Sequence, residues 1–405
     1  MKESLSNRLT PLPFPALTPD ACRDELTACA RRIARNMGLY GEKFPSACTL
    51  NNRYVLKENN DWTNGFWTGM QAMAWEFSGD RAYLDGVERN VASFKARLAA
   101  HYVLDHHDIG FLYSLSAVAY WKLTEREALT PLILAAADLL VNRFHHSAGF
   151  IQAWGMLNDP QEYRLIIDSL INLPLLHVAA KISGESRYRE VAERHYAAVI
   201  NNIFREDGST FHTFYFDQTS GAPSHGKTFQ GYSDNSCWAR GQAWAILGIP
   251  LHWSATGETD HYERWQQACE YFFRYLPEDG VPAWDLLLAA DPDAPKDSSA
   301  LAIAVCGLLE AHKHFPDAGY QTLARQCLLA LMRGASARED DVCEGLLKHG
   351  VYAYALGKGI DECNLWGDYF YMAIWKRYTE STNHNGQDTG YDNDSELFRY
   401  RPEKT

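Results

Sequence analysis

Two aspartates sit where a carboxyl could hold a proton. Asp108 follows a double histidine in DHHDIGFLYS, and Asp168 follows Ile166 and Ile167 in YRLIIDSLINLP. Apolar neighbours desolvate a carboxyl and favour its protonated form. A carboxyl kept protonated near neutral pH acts as a general acid. A second carboxylate nearby pushes the same way, and paired carboxyls are the usual equipment for work on glycosides. The other informative stretch runs from Phe229 to Trp244, FQGYSDNSCWARGQAW. A glycine turn at Gln230 and Gly231 leads into the polar run Ser233, Asp234, Asn235, Ser236, which can cap a helix. Trp238, Ala239, Gln242, Ala243 and Ile246 then fall at helical spacings. Arg240 and Gln242 thus belong to the first turns of a helix, near its partly positive end, where an anionic group would be held.

The composition frames what these residues serve. The chain has 405 residues, 46% hydrophobic and 22% charged, the profile of an ordinary globular protein. A net charge of −13 argues against nucleic acid and anionic membrane as partners. The N-terminal MKESLSNRLTPLPFP has no apolar signal core, and no run approaches the length of a membrane span, so a cytoplasmic location is expected. Nine cysteines, an odd number without CxxC pairs, read as reduced thiols, several of them (Cys29, Cys269, Cys306) within helices.

The elements that must position the carboxyls read as a succession of helices. Thr18 and Pro19 open one that runs to about Met37, and a long loop, 38–60, follows. Pairs come next: 65–77 with 80–98, 108–123 with 125–144, 168–182 with 185–204, 235–253 with 258–275, and 297–314 with 317–333. A last helix spans 367–378, making twelve. The joints resemble one another: Ser78-Gly79-Asp80 with Tyr83, Ser183-Gly184-Glu185 with Tyr188, Thr256-Gly257-Glu258 with Tyr262, and more loosely Pro316-Asp317 with Tyr320. Glycine supplies a left-handed stop and the acid favours the next start. Repeated hairpins argue for a repeat architecture. The first helix of each pair is apolar on nearly all sides and should be inner, and the second, charged on one face, should be outer. The expectation is an all-α fold in one domain, 18–379, an (α/α)6 barrel with all inner N-termini at one end. It is preceded by a proline-rich lead, 1–17, and followed by a polar tail, 380–405.

At those inner ends stand Asp61, Asp108, Asp168, Asp234, Asp297 and Asp368. An aspartate at a helix start is most often only a cap. A capping role does not explain the company of Trp62, Trp67, Trp154, Trp238, Trp244 and Trp366, because aromatic platforms beside carboxylates are what sugar rings bind. Trp75, Trp121 and Trp253 read as core.

The segments DHHDIGFLYSLSAVAYW, IIDSLINLPLLHVAA, GYSDNSCWARGQAW, KHGVYAYALGKGIDE and LWGDYFYMAIW together resemble the unsaturated glucuronyl hydrolases of glycoside hydrolase family 88, over roughly 50–378. The resemblance implies the same six-hairpin barrel and a substrate whose terminal uronic acid carries a C4=C5 double bond left by a polysaccharide lyase. It implies hydration of that enol ether: Asp168 donates a proton to C4 and helps activate the water added at C5, the hemiketal collapses, and the neighbouring sugar leaves. Asp108 matches the second essential aspartate, assigned to ring hydroxyls and to raising the proton affinity of Asp168. By the same matching, His107, His212, Gln230, Arg240 and Trp244 line the pocket, Trp62 and Trp154 stack on sugar, and Tyr352 lies near the ring.

Each of the binding residues has a plainer reading: His107 as partner of a carboxylate, Arg240 in a structural salt bridge, Tyr352 as a loop cap. The pairs His106-His107 and His145-His146 hint at a metal, but no HExxH, CxxC pair or acidic calcium loop accompanies them, so no metal or cofactor is expected. Relatives that favour sulfated fragments tend to carry an arginine before the QG turn and an SxxSxK pattern after the HGxY tyrosine. Phe229, Ala353 and Leu356 stand in those places here, followed by Lys358, which implies a preference for unsulfated or lightly sulfated disaccharides. Three other readings stay open at this point: an inverting glycosidase on saturated glycans, a sugar epimerase working through histidines, and a non-catalytic binding toroid. Monomer and homodimer are equally compatible with the outer helices, which show no clear apolar stripe.

Overall fold

The computed structural model describes residues 17–157 and 159–382. In chain order its helices are α1 (Pro19–Tyr40), α2 (Asn64–Ser78), α3 (Arg81–Ala99), α4 (Ile109–Tyr113), α5 (Ala119–Thr124), α6 (Thr130–Val141), α7 (Pro174–Ser183), α8 (Ser186–Ile203), α9 (Ala239–Thr256), α10 (Tyr262–Arg274), α11 (Ser298–His314), α12 (Tyr320–Gly334) and α13 (Leu365–Thr382). A π turn, Ser114–Val118, joins α4 and α5 into one rod. Each inner rod packs on the next, in the order α2, α4–α5, α7, α9, α11, α13, and α13 returns to α2 to close the ring. The outer helices are α3, α6, α8, α10 and α12, with α1 covering α13, so the two ends of the helical chain complete the sixth hairpin. The all-α toroid read from the sequence is the observed fold.

Burial follows the two helix types. In α9 every residue from Ala239 to Trp253 is buried, whereas in α10 only Trp265, Ala268, Cys269, Phe272 and Phe273 are, one face of an amphipathic helix. The inner rods also approach closely. A Cβ added at Gly307 would lie 2.4 Å from the Ile246 carbonyl oxygen, so α11 can lie against α9 only because that position is bare.

The repeated joints have a structural purpose beyond stopping helices. Gly79, Gly184 and Gly257 are left-handed C-caps, each returning its N–H to the preceding helix. Each joint tyrosine ties its outer helix to a neighbour in the outer ring. Tyr83 donates to the Ala30 carbonyl of α1 at 2.8 Å, Tyr188 to Asp138 of α6 at 2.8 Å, and the Tyr262 and Tyr320 hydroxyls of α10 and α12 bond each other.

Several boundaries differ from the sequence reading. Thr18 caps α1 and Pro19 opens it as expected, but the helix continues to Tyr40. The helix expected at 125–144 begins after a left-handed Glu125 and a short 3-10 turn, at Thr130. That expected from 168 begins at Pro174, because proline sets the first helical position and leaves Ile167–Ile171 as a separate 3-10 turn. The helix expected from 235 begins at Ala239, with Trp238 as its N-cap. Those expected from 258 and 317 begin at Tyr262 and Tyr320, and the last helix runs on to Thr382.

The span 38–60, expected as loop, holds the hairpin β1 (Phe44–Leu50) and β2 (Arg53–Lys57). Its Asn51-Asn52 turn has positive φ at both residues, the geometry that two-residue hairpins require. Other antiparallel pieces are β3 (Phe144–His145) with β4 (Phe150–Ile151), β5 (Arg164–Ile166) with β6 (Thr213–Phe216) and β7 (Pro223–Lys227), and β8 (Gly350–Ala353) with β9 (Lys358–Glu362). All nine cysteines are free; the Cys343 and Cys363 sulfurs are 3.5 Å apart, beyond a disulfide bond. Apart from Leu17 and the helical residues from 380 to 382, the lead and tail lie outside the described residues. No described helix is long and apolar enough to cross a membrane.

Candidate active site

The inner-ring aspartates do not serve mainly as caps. Asp108 occupies the N-cap position of α4 without making a side-chain capping bond. Asp234 accepts the Thr228 N–H at 2.8 Å and ties down the turn before α9. Asp368 is buried and holds the N–H groups of Leu346 and Leu347 and the Tyr54 hydroxyl, and burial pushes its carboxyl up to about 6. Asp61 pairs with Lys57 at 3.0 Å, and Asp297 faces Arg240 at 3.6 Å.

Asp108 and Asp168 are brought together. His107, buried behind them, places Nε2 3.4 Å from Asp108 Oδ1 and 3.3 Å from Asp168 Oδ1. The two carboxyl side chains keep 13% and 16% of their surface, enough to meet a ligand. Their facing oxygens have no full hydrogen-bond partner among the described residues. Burial pushes the Asp108 carboxyl up to about 7; His107 opposes the rise and the Asp168 charge adds to it. Asp108, given the supporting part in the sequence reading, therefore has its own proton affinity raised. Burial disfavours the charged form of His107, but the charges of Asp108 and Asp168 outweigh it and raise its proton affinity.

The elements around the pair explain its position. His106 accepts the Asp108 N–H on Nδ1 at 3.1 Å and anchors Nε2 to the Val103 carbonyl, fixing the turn that enters α4. Asp168 sits in the 3-10 turn that leaves β5, and the next residue, Ser169, bonds buried His195 of α8 at 2.7 Å. His195 in turn accepts the Ile151 N–H, so β4, α8 and the Asp168 turn are locked together.

The predicted pocket residues divide into two groups. Trp62 donates its indole N–H to the Tyr352 hydroxyl at 2.8 Å and stacks on Trp366 at 5.3 Å, forming a shelf between α2, β8 and α13. His212 uses Nδ1 to accept the N–H groups of Phe229 (2.9 Å) and Gln230 (3.0 Å). Its hydrogen is therefore on Nε2. Burial lowers its pKa to about 3, which makes it a neutral donor. Trp154 is half-buried, with the Arg164 guanidinium 4.5 Å over one face of its ring and Phe229 edge-on at 5.4 Å.

The second group faces protein. Arg240 is buried and donates to the Val351 carbonyl at 2.6 Å, the Tyr352 carbonyl at 2.8 Å and Gln230 Oε1, while Trp238 and Trp366 lie 4.5 Å from it. Its guanidinium thus fixes β8 and the QG turn instead of waiting for an anion. Trp244 is buried between Phe111 (5.5 Å) and Phe370 (5.7 Å) and backs the aromatic floor. Gln242, expected near a ligand, spends its amide on Thr210, Gly208 and Ala268.

Asn172 was missed by the sequence reading. It is buried, its Oδ1 accepts the Phe111 N–H of α4 at 2.8 Å, and its amide favours the charged form of Asp108. In an apolar run it reads as an incidental polar residue. The available signal was Pro174 two residues on, which opens α7 and so leaves Asn172 at the end of the Asp168 turn.

His107 Nε2 and one oxygen each of Asp108 and Asp168 lie within 4.8 Å of one another, the donor types of a cation site. What surrounds His107 does not fit one. A metal-bound histidine gives its other N–H to a carboxylate or carbonyl, and His107 Nδ1 is buried with no partner among the described residues. His145, half of the other double histidine, bonds Gln152 at 2.8 Å.

Residues 41–382 match Glycosyl Hydrolase Family 88. The chain is 41% identical over 372 residues to the unsaturated chondroitin disaccharide hydrolase of Streptococcus pyogenes serotype M1, covering 91% of this chain and 93% of that protein. It is 42% identical over 345 residues to the unsaturated glucuronyl hydrolase of Bacillus sp. (strain GL1), covering 84% and 92%. The crystal structure of unsaturated glucuronyl hydrolase from Streptococcus agalactiae superposes with a TM-score of 0.89 at 40% identity, covering 93% of this chain and 96% of that one. On a match that takes in nearly the whole barrel, from β1 to α13, this chain belongs to glycosyl hydrolase family 88.

Proposed function

We propose that this glycoside hydrolase removes the 4,5-unsaturated uronic acid from the non-reducing end of lyase-generated oligosaccharides, such as glycosaminoglycan disaccharides. The observation that carries the reading is the pair Asp108 and Asp168 sharing His107, beside the Trp62 and Trp366 shelf. The named activities of its relatives support it.

In the proposed reaction the carboxyl pair, holding one proton near neutral pH, protonates C4 of the enol ether, with Asp168 as the donor. Water bonds C5 and gives its proton back to the pair. The C5 hemiketal opens to a ketone, leaving a hemiacetal at C1, and that hemiacetal expels the neighbouring sugar. One water is consumed and the acid is regenerated. The anomeric carbon is not attacked, so the separation rule for inverting and retaining carboxylates does not apply. His212, held neutral with Nε2–H free, is the proposed donor to the substrate's polar groups. Trp62 and Trp154 are the proposed stacking faces, Tyr352 and Gln230 complete the wall, and 18–379 is the catalytic unit. Nine free thiols favour a reducing, cytoplasmic setting.

The test follows the ultraviolet absorbance of an unsaturated chondroitin disaccharide, because hydration destroys the conjugated chromophore. Loss of signal with wild type but not with Asp168→Asn supports the reading. A signal that persists with wild type across a panel of unsaturated substrates rejects it, and hydrolysis of saturated glucuronides would point to a conventional glycosidase.

A further inference from the structure

Asp108 and Asp168 come from different hairpins, and an acid pair works only if their separation is held to a fraction of an ångström. Asp108 ends the loop before α4, and Asp168 lies in the turn before α7. His107 touches both carboxylates, but it belongs to the Asp108 segment and does not fix one backbone to the other.

Asn172 does. It ends the Asp168 turn, its own N–H returning to the Ser169 carbonyl at 3.0 Å. Its Oδ1 accepts the N–H of Phe111, in the first turn of the helix that Asp108 opens, at 2.8 Å. Between them Gly110 lies so close that an added Cβ would stand 2.3 Å from the Asn172 Cα. Its Nδ2 is buried, has no partner in full hydrogen-bond geometry among the described residues and faces Asp108. A buried amide N–H pair left incomplete is costly, and such groups persist where a function uses them.

We propose that Asn172 is a positioning residue of the carboxyl pair. Its carbonyl oxygen clamps the α4 backbone to the Asp168 turn, and its amide steadies the ionised form of Asp108. The proposal rests on the functional reading above for its role in turnover, but not for its effect on Asp108. Other groups also face Asp108: His106 and His107 from its own loop, Asp168 from the facing turn, and Asp61 from the approach to α2. The charges of Arg97 in α3 and of Arg143 just past α6 reach it, and the neutral Tyr352 hydroxyl lies near it from β8. None of these connects the two backbones, so the clamp is assigned to Asn172.

The experiment compares wild type with Asn172→Asp and Asn172→Ala. Asn172→Asp keeps an acceptor for the Phe111 N–H and removes the donor; Asn172→Ala removes both. Titration of the Asp108 carboxyl by 13C NMR on the substrate-free protein reads the electrostatic part without any assumption about the reaction. The pH profiles of kcat and KM on an unsaturated disaccharide read the catalytic part. The expected result is an upward move of the Asp108 titration by half a pH unit or more in both variants. It is accompanied by a fall in kcat of tenfold or more with KM changed less than threefold. An Asp108 titration and pH profile identical to wild type in a folded Asn172→Ala protein would overturn the proposal, leaving Asn172 a packing residue. If Asn172→Asp does not fold, Asn172→Ala alone decides. If wild type turns over no unsaturated substrate, the NMR titration still tests the effect on Asp108 while the functional reading fails separately.

Discussion

His107 Nε2 lies 3.3 Å from an Asp168 oxygen, joining a residue before α4 to one before α7. That contact places a proton-loving ring between two acids that would otherwise repel each other. In the His107→Ala variant we expect Asp108 to titrate above about 7, since His107 opposes its upward shift. Loss of a positioned acid–base partner reduces turnover by roughly 10²-fold or more. Carboxyl NMR and kcat on an unsaturated disaccharide check both; unchanged turnover would remove His107 from the machinery.

Stability should fall on the acid side. Burial lowers the pKa of His195, His212 and His252 to about 3 and of His177 to about 4. A base whose folded pKa lies below its unfolded value binds more protons when unfolded, so its contribution is full above the unfolded pKa. It is lost progressively as pH drops from there towards the folded pKa. Urea denaturation at pH 7.5 and pH 5 should show a clear loss. His177→Gln should reduce that loss by on the order of 2 kcal/mol, the linkage for one histidine over that interval. A pH-independent midpoint would contradict the burial of these rings.

Arg240→Lys should damage the fold and not merely the affinity. The guanidinium serves Gln230, Val351 and Tyr352 at once and faces buried Asp297, and a lysine cannot reproduce that fork. Losing a buried bond leaves an acceptor unpaired, at about 1–3 kcal/mol. We expect a lower Tm together with lower activity, as His212 and Tyr352 lose their supports. Wild-type Tm with only a raised KM would instead make Arg240 a ligand residue.

Substrate sulfation provides a further test. Phe229 is 49% exposed beside Trp154, and Leu356 is 65% exposed at the β8–β9 turn; neither offers a donor to a sulfate. Lys358 sits 4.2 Å over the Tyr352 ring. An unsulfated chondroitin disaccharide should be turned over faster than its 6-sulfated form, and Phe229→Arg should narrow the gap. Equal or faster turnover of the sulfated substrate by wild type refutes this preference.

Much of the architecture was legible because it repeats. The Gly-acid-Tyr joints marked helix pairs, and all-round apolarity separated inner from outer rods. The boundaries were less legible where a polar or acidic residue preceded the true start: Asp168 and Asn235 read as helix openings, yet Pro174 and Ala239 begin the helices. The β1–β2 hairpin went unread although Asn51-Asn52 carried its turn. Among the site residues, Trp62, His107, Asp108, Asp168, His212 and Tyr352 could be named through the family resemblance; the structure joins Trp62 to Tyr352 and His107 to both aspartates, and sets His212 under the QG turn.

The sequence by itself determined the ring of hairpins, the end at which the inner helices open, and which acids stand there, because periodicity and capping are local properties of the chain. Only the tertiary structure decided which of those acids meet. It placed Asp108 against Asp168 through His107, spent Arg240 and Trp244 on the protein itself, and raised the proton affinity of Asp108. It also brought Asn172 into the pair. Those outcomes depend on desolvation and on contacts between hairpins, and neither is set until the ring closes.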